Sequence, residues 1–579
     1  MTRSRWTPAI LAALLVLGLA IAGCGGGRLP VTAASATGND INPVTRGQLA
    51  TGGTLRWPLS RIPPNFNDHE LDGPGIENDS VLGALLPRPF TFDAAGAPRV
   101  NKEYFESIEL TSTEPKQVVT YRINPQAVWY DGTPITVADF QAQWKALSGR
   151  DPAFRVASTQ GYDTVENVAP GRDDREVVVT FTARYADWRA LFDMLYPAST
   201  NADPNVFNTG WKRQPLTTAG PFKLASLNQT TKTITLVRNE KWWGRPAKLE
   251  RIIYRAMDPD AQVDALANGE IDFIDVGSDL NRFQRAQAIP GVTVRRAGAS
   301  NLVTITLGGA SGALTDVHVR RALAMGIDRE RIAQALITPL GVAPAPLGNH
   351  LFLANQNGYQ DNSGDVGEYN PHQARALLDE AGWRLTNGIR VKAGKELTIR
   401  YVFPAQITQE EQTAELVQGM LGMIGVKVSI EAMPADDFFQ NFIAPGNFDL
   451  TSLVQAGTPF PISSSKPIYA NPTRGPDGRL DIHQNYARIG SEEIDRLFDQ
   501  ATAELDPAKA TQLANEIDAR IWWEVHSLAL YQRPDIVATN PNLANFGAFG
   551  IASKAYEDIG FVRRSTQAVG IDARPAWRK

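Results

Sequence analysis

The single cysteine of this 579-residue chain sits at position 24 and constrains everything after it. Beyond that point no thiol remains, so no disulfide can staple the body and no cysteine can serve it as nucleophile or metal ligand. Stability must come from buried apolar surface, and a body of roughly 510–520 residues exceeds what one core holds. Two or three lobes are expected. Ahead of Cys24, Arg3 and Arg5 precede an apolar stretch from Ala9 to Ala22. A positive start, a short apolar run and small residues at its end have the form of a secretory signal. The run is shorter than the about 20 apolar residues a spanning helix needs.

Ile21-Ala22-Gly23-Cys24 resembles the bacterial lipobox, in which the cysteine is lipidated and becomes the first residue. Residues 1–23 then read as signal peptide and Cys24 as the lipidation site, for palmitate among other acyl chains. One chain holds a protein to a bilayer only marginally, and several hold it firmly. The expected location is the cell membrane, on its extracytoplasmic face. Gly25-Gly26-Gly27 and the polar stretch up to Gly52-Gly53 show neither a helical nor a strand period. Residues 24–50 therefore read as a flexible tether with a span on the order of 30 Å.

Composition narrows the function. Charged residues make up 21% and hydrophobic ones 43%, as in ordinary globular proteins. The formal charge is −5, without the basic stripe that a nucleic-acid partner requires. Six histidines, at 69, 318, 350, 372, 483 and 526, never fall at metal-ligand spacing, so no metal and no cofactor is expected. There is no Gly-x-Ser-x-Gly elbow, no phosphate-cradling loop and no dinucleotide fingerprint. A large secreted chain without a catalytic constellation reads as a binding protein, not an enzyme.

Local patterns alternate strand and helix. Val118–Ile123, Val177–Phe181 and Thr233–Val237 are rich in β-branched residues and predict strands. Thr136, with Asp139 three residues on, predicts a helix start leading into Phe140, Trp144 and Leu147. Asn370-Pro371 predicts another, with Ala374, Leu377, Leu378 and Ala381 on one face and Gly382 at its end. Ser491 and Asp506-Pro507 open two more, the second carrying Ala510, Leu513, Ala514, Ile517 and Ile521 inward. Mixed strands and helices without a strict repeat indicate α/β lobes.

Several segments then join into one pattern. Trp129-Tyr130-Asp131-Gly132-Thr133-Pro134-Ile135-Thr136 leads to Asp139-Phe140. Gly220-Pro221-Phe222 is followed by Leu236-Val237-Arg238-Asn239 and Trp242-Trp243. Ala265-Leu266 leads to Gly269-Glu270-Ile271-Asp272, Val319-Arg320-Arg321-Ala322-Leu323 to Ile327-Asp328-Arg329, and Tyr369-Asn370-Pro371 to Ala381-Gly382-Trp383. In this order they resemble the peptide-type (family 5) extracellular solute-binding lipoproteins of ABC importers, over residues 53–563. Read by themselves, most of these residues are structural. Trp129 and Asp131-Gly132 suit a turn with a packed indole, Arg238 and Trp242-Trp243 suit packing, and at least one of Trp522-Trp523 belongs to a core. The pairs Arg320-Arg321 and Asp328-Arg329 read as helix-surface charge.

The resemblance implies a two-lobed α/β fold of periplasmic-binding-protein type II with an extra inserted subdomain. Lobe I would comprise 51–90, 215–310 and 530–565, the inserted subdomain 91–214, lobe II 311–529, and a tail 566–579. It implies a monomer that captures oligopeptides between its lobes and delivers them to permease subunits. A non-transport envelope scaffold or regulator on the same fold, or a receptor for a non-peptide polar solute, is the alternative. The ligand-binding positions implied are Asn65, Phe66, Asn67, Asn301, Phe403, Gln455, Gly457, Thr458 and Tyr531. One departure bears on the ligand. Gln455 and Thr458 stand where relatives carry the Trp and Asp of W-x-x-D, whose carboxylate meets a peptide's α-ammonium. A hydroxyl cannot neutralise a buried ammonium. Either another carboxylate, with Asp436, Asp437 and Glu70 as candidates, takes that role, or the ligand lacks the amine.

Overall fold

The computed structural model describes residues 38–310, 312–475 and 478–563. The signal peptide, Cys24 and residues 566–579 lie outside the described residues. Three sheets carry the architecture. In the first, Thr54–Leu59 pairs parallel with Arg251–Ala256, and Thr233–Arg238 and Phe222–Asn228 follow antiparallel. Leu55, Trp57 and Leu59 alternate inward and meet Ile252, Tyr254, Ile234 and Leu236 in one core. Each such large side chain, once buried, contributes about 1.5–3 kcal/mol.

The second sheet lies wholly within residues 91–214 and is antiparallel, in the order Phe105–Ser112, Val118–Ile123, Glu176–Phe181, Val165–Pro170. Its inward residues include Val119, Tyr121, Val177, Val179 and Phe181. The helix Val137–Leu147 covers them with Phe140, Trp144 and Leu147. Thr136 and Asp139 close a capping box at its start, the Thr136 amide donating to Asp139 Oδ2 at 2.9 Å.

The third sheet has six strands and ties the molecule together. Its order is Phe273–Asp275, Ser527–Thr539, Thr293–Leu307, Leu450–Ala456, Thr398–Pro404, Lys427–Met433. Two members are unusually long, 15 residues in Thr293–Leu307 and 13 in Ser527–Thr539. At about 3.4 Å per residue each reaches some 45–50 Å, enough to run from one lobe into the other. Their pairing breaks between Gly298 and Leu302. Before the break the two strands face both cores, Ala297 and Val537 the first, Ile536 and Ala538 the second; beyond it Leu302, Val303, Leu528 and Leu530 pack in the second alone. The break in the ladder falls where contact with the first core ends, a geometry that suits a hinge.

Several expectations need correction. Residues 38–50 are not tether. Leu49 is fully buried and bridges to Val562, Asp40 bridges to Ala548 and pairs with Arg295 at 2.8 Å, and Arg46 pairs with Asp558. The polar sequence hid this because the segment is held by backbone bridges and ion pairs. The boundary near 310 does not coincide with a break in packing, since Val263, Leu266 and Phe283 already belong to the second core. Arg320 and Arg329 are not surface charge. Both are buried and spend their donors on backbone carbonyls, Arg320 on Leu314 and Glu524, Arg329 on Leu347, Ala529 and Gly367. A helix pattern cannot distinguish a solvated guanidinium from one that satisfies orphaned carbonyls of neighbouring loops.

Candidate ligand-binding cleft

A large cleft of about 2240 Å³ opens between the lobes on the hinge strands. One wall comes from lobe I and the inserted subdomain. Arg88 is its anchor, bonding Asp79 and reaching Asp193 at 3.2 Å. Arg245 gathers Glu103, Glu557 and Asp558 at 2.9–3.3 Å. Where the hinge strands leave the first core, Asp275 and Asp535 face each other among Arg282, Arg533 and Lys554. Burial deep in the cleft, and then the charge of Asp275, push the Asp535 carboxyl up to about 7. Burial also raises Asp275, although its side chain remains open to cleft water. Each carboxylate accepts a backbone amide, Asp275 from Gly277 and Asp535 from Gly550, both at 2.9 Å.

The opposite wall comes from lobe II. The segment Gln406–Gln412 begins the helix Thr408–Gly422, and Gly457-Thr458-Pro459-Phe460 enters the helix Pro461–Tyr469. Thr458 Oγ1 accepts from the Phe460 amide at 3.0 Å and lies 3.1 Å from Ser464 Oγ, so its hydroxyl stabilises the turn. Gly457 lets that turn pass close to lobe II's interior: a Cβ there would meet Leu353 at 2.8 Å. The walls already touch along one edge. The Ser463 amide donates to Asp187 Oδ2 at 3.0 Å, Ala186 N to Thr502 O at 2.7 Å, and the rings of Phe92 and Phe460 meet edge-on at 5.6 Å.

Two buried groups on the cleft surface have no hydrogen-bond partner: Asn301 Oδ1, an acceptor, and Arg282 Nε, a donor that lies 3.6 Å from Asp279 Oδ2. Among the described residues no cluster of His, Asp or Glu could hold a metal ion.

The structure sorts the expected site residues. Asn301, Gly457 and Thr458 line the cleft. Asn65, Phe66 and Asn67 do not. All three are fully buried in lobe I, where Asn65 bonds Glu70 and Asn67 bonds the Phe207 carbonyl. Phe403 packs inside the second core, three residues short of the cleft segment. Gln455 turns away from the cleft and accepts from Tyr469 Oη at 2.7 Å. Tyr531 is buried one step before the cleft; Arg533 and Asp535, on the same face of its strand, are the lining residues. The carboxylates suggested for an ammonium are elsewhere: Glu70 is sealed beside Arg155, and neither Asp436 nor Asp437 lines the cleft. Sequence reasoning missed Arg88, Arg189, Asp193, Arg245 and Lys554. Period-two alternation from Tyr531 could have found Arg533 and Asp535; the others stand in loops or, for Arg189, in the one-turn helix Trp188–Ala190, without a local signature.

Two lobes, two crossing strands and a cleft lined from both sides define a type II periplasmic binding protein. The family model for bacterial extracellular solute-binding proteins, family 5 (Middle), matches residues 101–475. The oligopeptide-binding protein OppA of Mycobacterium tuberculosis is 43% identical over 97% of this chain and 95% of its own length. The periplasmic EDTA-binding protein EppA superposes with a TM-score of 0.81 at 26% identity, covering 93% of this chain and all of that one. AppA of Bacillus subtilis, solved with a nonapeptide, superposes at 0.70 and 19% identity, covering 89% of this chain and all of AppA. The chain belongs to the family 5 extracellular solute-binding proteins. It is a binding protein, not an enzyme.

Proposed function

We propose that this chain is a lipid-anchored receptor that captures oligopeptides outside the cytoplasmic membrane and delivers them to the permease subunits of an ABC importer. The size and lining of the cleft carry this reading. At about 2240 Å³ it is more than twice the upper range of about 300–1,000 Å³ for small-molecule pockets. That space suits an extended chain of several residues. Groups without a hydrogen-bond partner, Asn301 Oδ1 as acceptor and Arg282 Nε as donor, suit a ligand that offers both, as a peptide backbone does. The similarity to OppA supports the same substrate class. The lipobox ending at Cys24 supports the anchor. Among the described residues no helix is long and apolar enough to cross a membrane.

The test is to purify the protein from its native membrane, release what it holds with acid, and identify it by mass spectrometry. Oligopeptides are expected; a non-peptide solute alone would overturn the substrate class. Cys24→Ala should leave the detergent phase on partition, and a processed variant that stays in that phase would remove the lipid anchor.

A further inference from the structure

Eight cationic and eight acidic side chains line the cleft. Every carboxylate accepts at least one hydrogen bond from a protein group. Six of the cations are likewise engaged by a hydrogen bond or an ion pair. The two left over, Arg189 and Lys554, are both positive. Neither makes a hydrogen bond or ion pair: Arg189 is stacked on one aromatic ring and meets only the charge of Asp187 among the acids, and Lys554 lies over another while its charge reaches Asp79, Asp275 and Asp535. The Arg189 guanidinium carbon lies 4.2 Å from the Trp188 ring centroid, and Lys554 Nζ lies 5.4 Å from that of Phe549.

The two cations flank one short strand, Phe90–Phe92. The Phe90 ring packs edge-on against Trp188 at 6.0 Å. Phe92 exchanges bonds with Ser553, its amide donating to Ser553 Oγ at 2.9 Å and its carbonyl accepting from the Ser553 amide at 3.0 Å. Trp188 and Ser553 are the residues just before Arg189 and Lys554, so the strand fixes both cations on the same stretch of wall. Asp187, the acid nearest Arg189 in sequence, is turned to lobe II, where its Oδ2 accepts from the Ser463 amide, and it acts on Arg189 through its charge without a hydrogen bond. Arg189 is thus a partly desolvated guanidinium with five free N–H donors, and burial lowers its pKa. A planar fork stacked on an indole is preorganised for bidentate bonding to a carboxylate.

We propose that Arg189 and Lys554 form the carboxylate-binding subsite of this cleft. The ligand class is a molecule with an unpaired carboxylate: a peptide's free C-terminus or acidic side chain, or a free polycarboxylate. The peptide sources rest on the receptor reading above; the subsite itself does not.

Calorimetry on the full chain separates the two. The probes are a hexapeptide library with free C-termini, the same library amidated, and EDTA as a peptide-free polycarboxylate. The wild type is expected to bind the free-acid library at least tenfold more tightly than the amidated one. Arg189→Gln and Lys554→Gln should each narrow that gap while leaving affinity for the amide unchanged, and Arg189→Lys, which keeps charge without the fork, should fall between. Equal binding of acid and amide by the wild type, or an undiminished gap in both Gln variants, overturns the subsite and leaves the peptide receptor standing. Binding of EDTA but no peptide, lost in the variants, supports the subsite and overturns the peptide reading. Binding of no probe overturns both. If a variant fails to fold, the acid-versus-amide comparison in the wild type still decides.

Discussion

The two walls of the cleft differ in kind. Every charged residue that lines it lies within residues 77–103, 189–193, 245–282 or 533–557, and of these the stretch 274–286 packs on the second core. Residues 299–460 contribute none: their lining consists of amides, hydroxyls, glycine, proline and apolar groups such as Leu336, Ile407, Gln409, Gln412, Thr458 and Phe460. The charged wall can orient a ligand by its ionic groups. The neutral wall can close over it without desolvating a second set of charges, a step that would cost several kcal/mol per unpaired ion. Neutral donors and acceptors also fit any backbone, whatever side chains it bears. Selectivity by charge and permissiveness by contact are thereby assigned to different stretches of the chain, joined by two strands whose pairing lapses between Gly298 and Leu302.

The largest disturbance of this division should come from Arg88→Met. Asp193 would then face Asp79 without its ion-pair partner, and Asp79 would keep only the charge of Lys554. A loss of about 2 kcal/mol in denaturant unfolding is expected, at the low side of the range for broken buried pairs because both acids reach cleft water. An unchanged midpoint would mean that the charged wall does not depend on this anchor.

Asp187→Ala addresses the edge where the walls touch. It removes the acceptor of the Ser463 amide and should weaken ligand binding about tenfold, the effect of one hydrogen bond of about 1.4 kcal/mol. The liganded variant should show a larger radius of gyration by small-angle scattering than the liganded wild type. Identical scattering and affinity would make that edge incidental to closure.

Thr458→Asp places a charge on the neutral wall. With no carboxylate there, the wild type should bind free-amine and N-acetylated peptides within about threefold of each other, and the variant should acquire a preference for the free amine, as a new charge-assisted bond would give. Calorimetry with the two peptide forms checks this. A strong free-amine preference in the wild type would show that a carboxylate of the other wall already reads the ammonium.

The smallest effect is proton-linked. The Asp535 carboxyl sits near pH 7 in the folded protein against about 3.9 unfolded. Its folded form binds the proton more readily, so the stability of the wild type relative to Asp535→Asn should be highest below pH 4, fall as pH rises from about 4 to 7, and level off above. The effect should be modest, since Asp535 lines an open cleft. A pH-independent difference in melting temperature between the two proteins would refute the shift.

What could be read without the structure was local and repetitive. The capping box at Thr136 and Asp139, the Asn370-Pro371 start and the Asp506-Pro507 start are set by residues within one turn of each other, and all three helices begin there. Trp522 and Trp523 separate as the helical period requires, one buried and the other 52% exposed. Asn65, Phe66 and Asn67 failed as site residues for the opposite reason. A polar–aromatic–polar loop looks the same whether its amides meet a ligand or, as here, Glu70 and the Phe207 carbonyl.

By itself the sequence determined the class of molecule: α/β lobes without thiol chemistry, and an ordered set of motifs matching one family. These depend on periodicity, capping and composition, which act over a few residues. Only the tertiary structure decided which charges face the cleft and which are spent. Arg189 and Lys554 lie 365 positions apart and share a wall because one three-residue strand packs against Trp188 and bonds Ser553. Whether a charged group keeps a free donor depends on every neighbour that folding brings to it, and no local pattern encodes that.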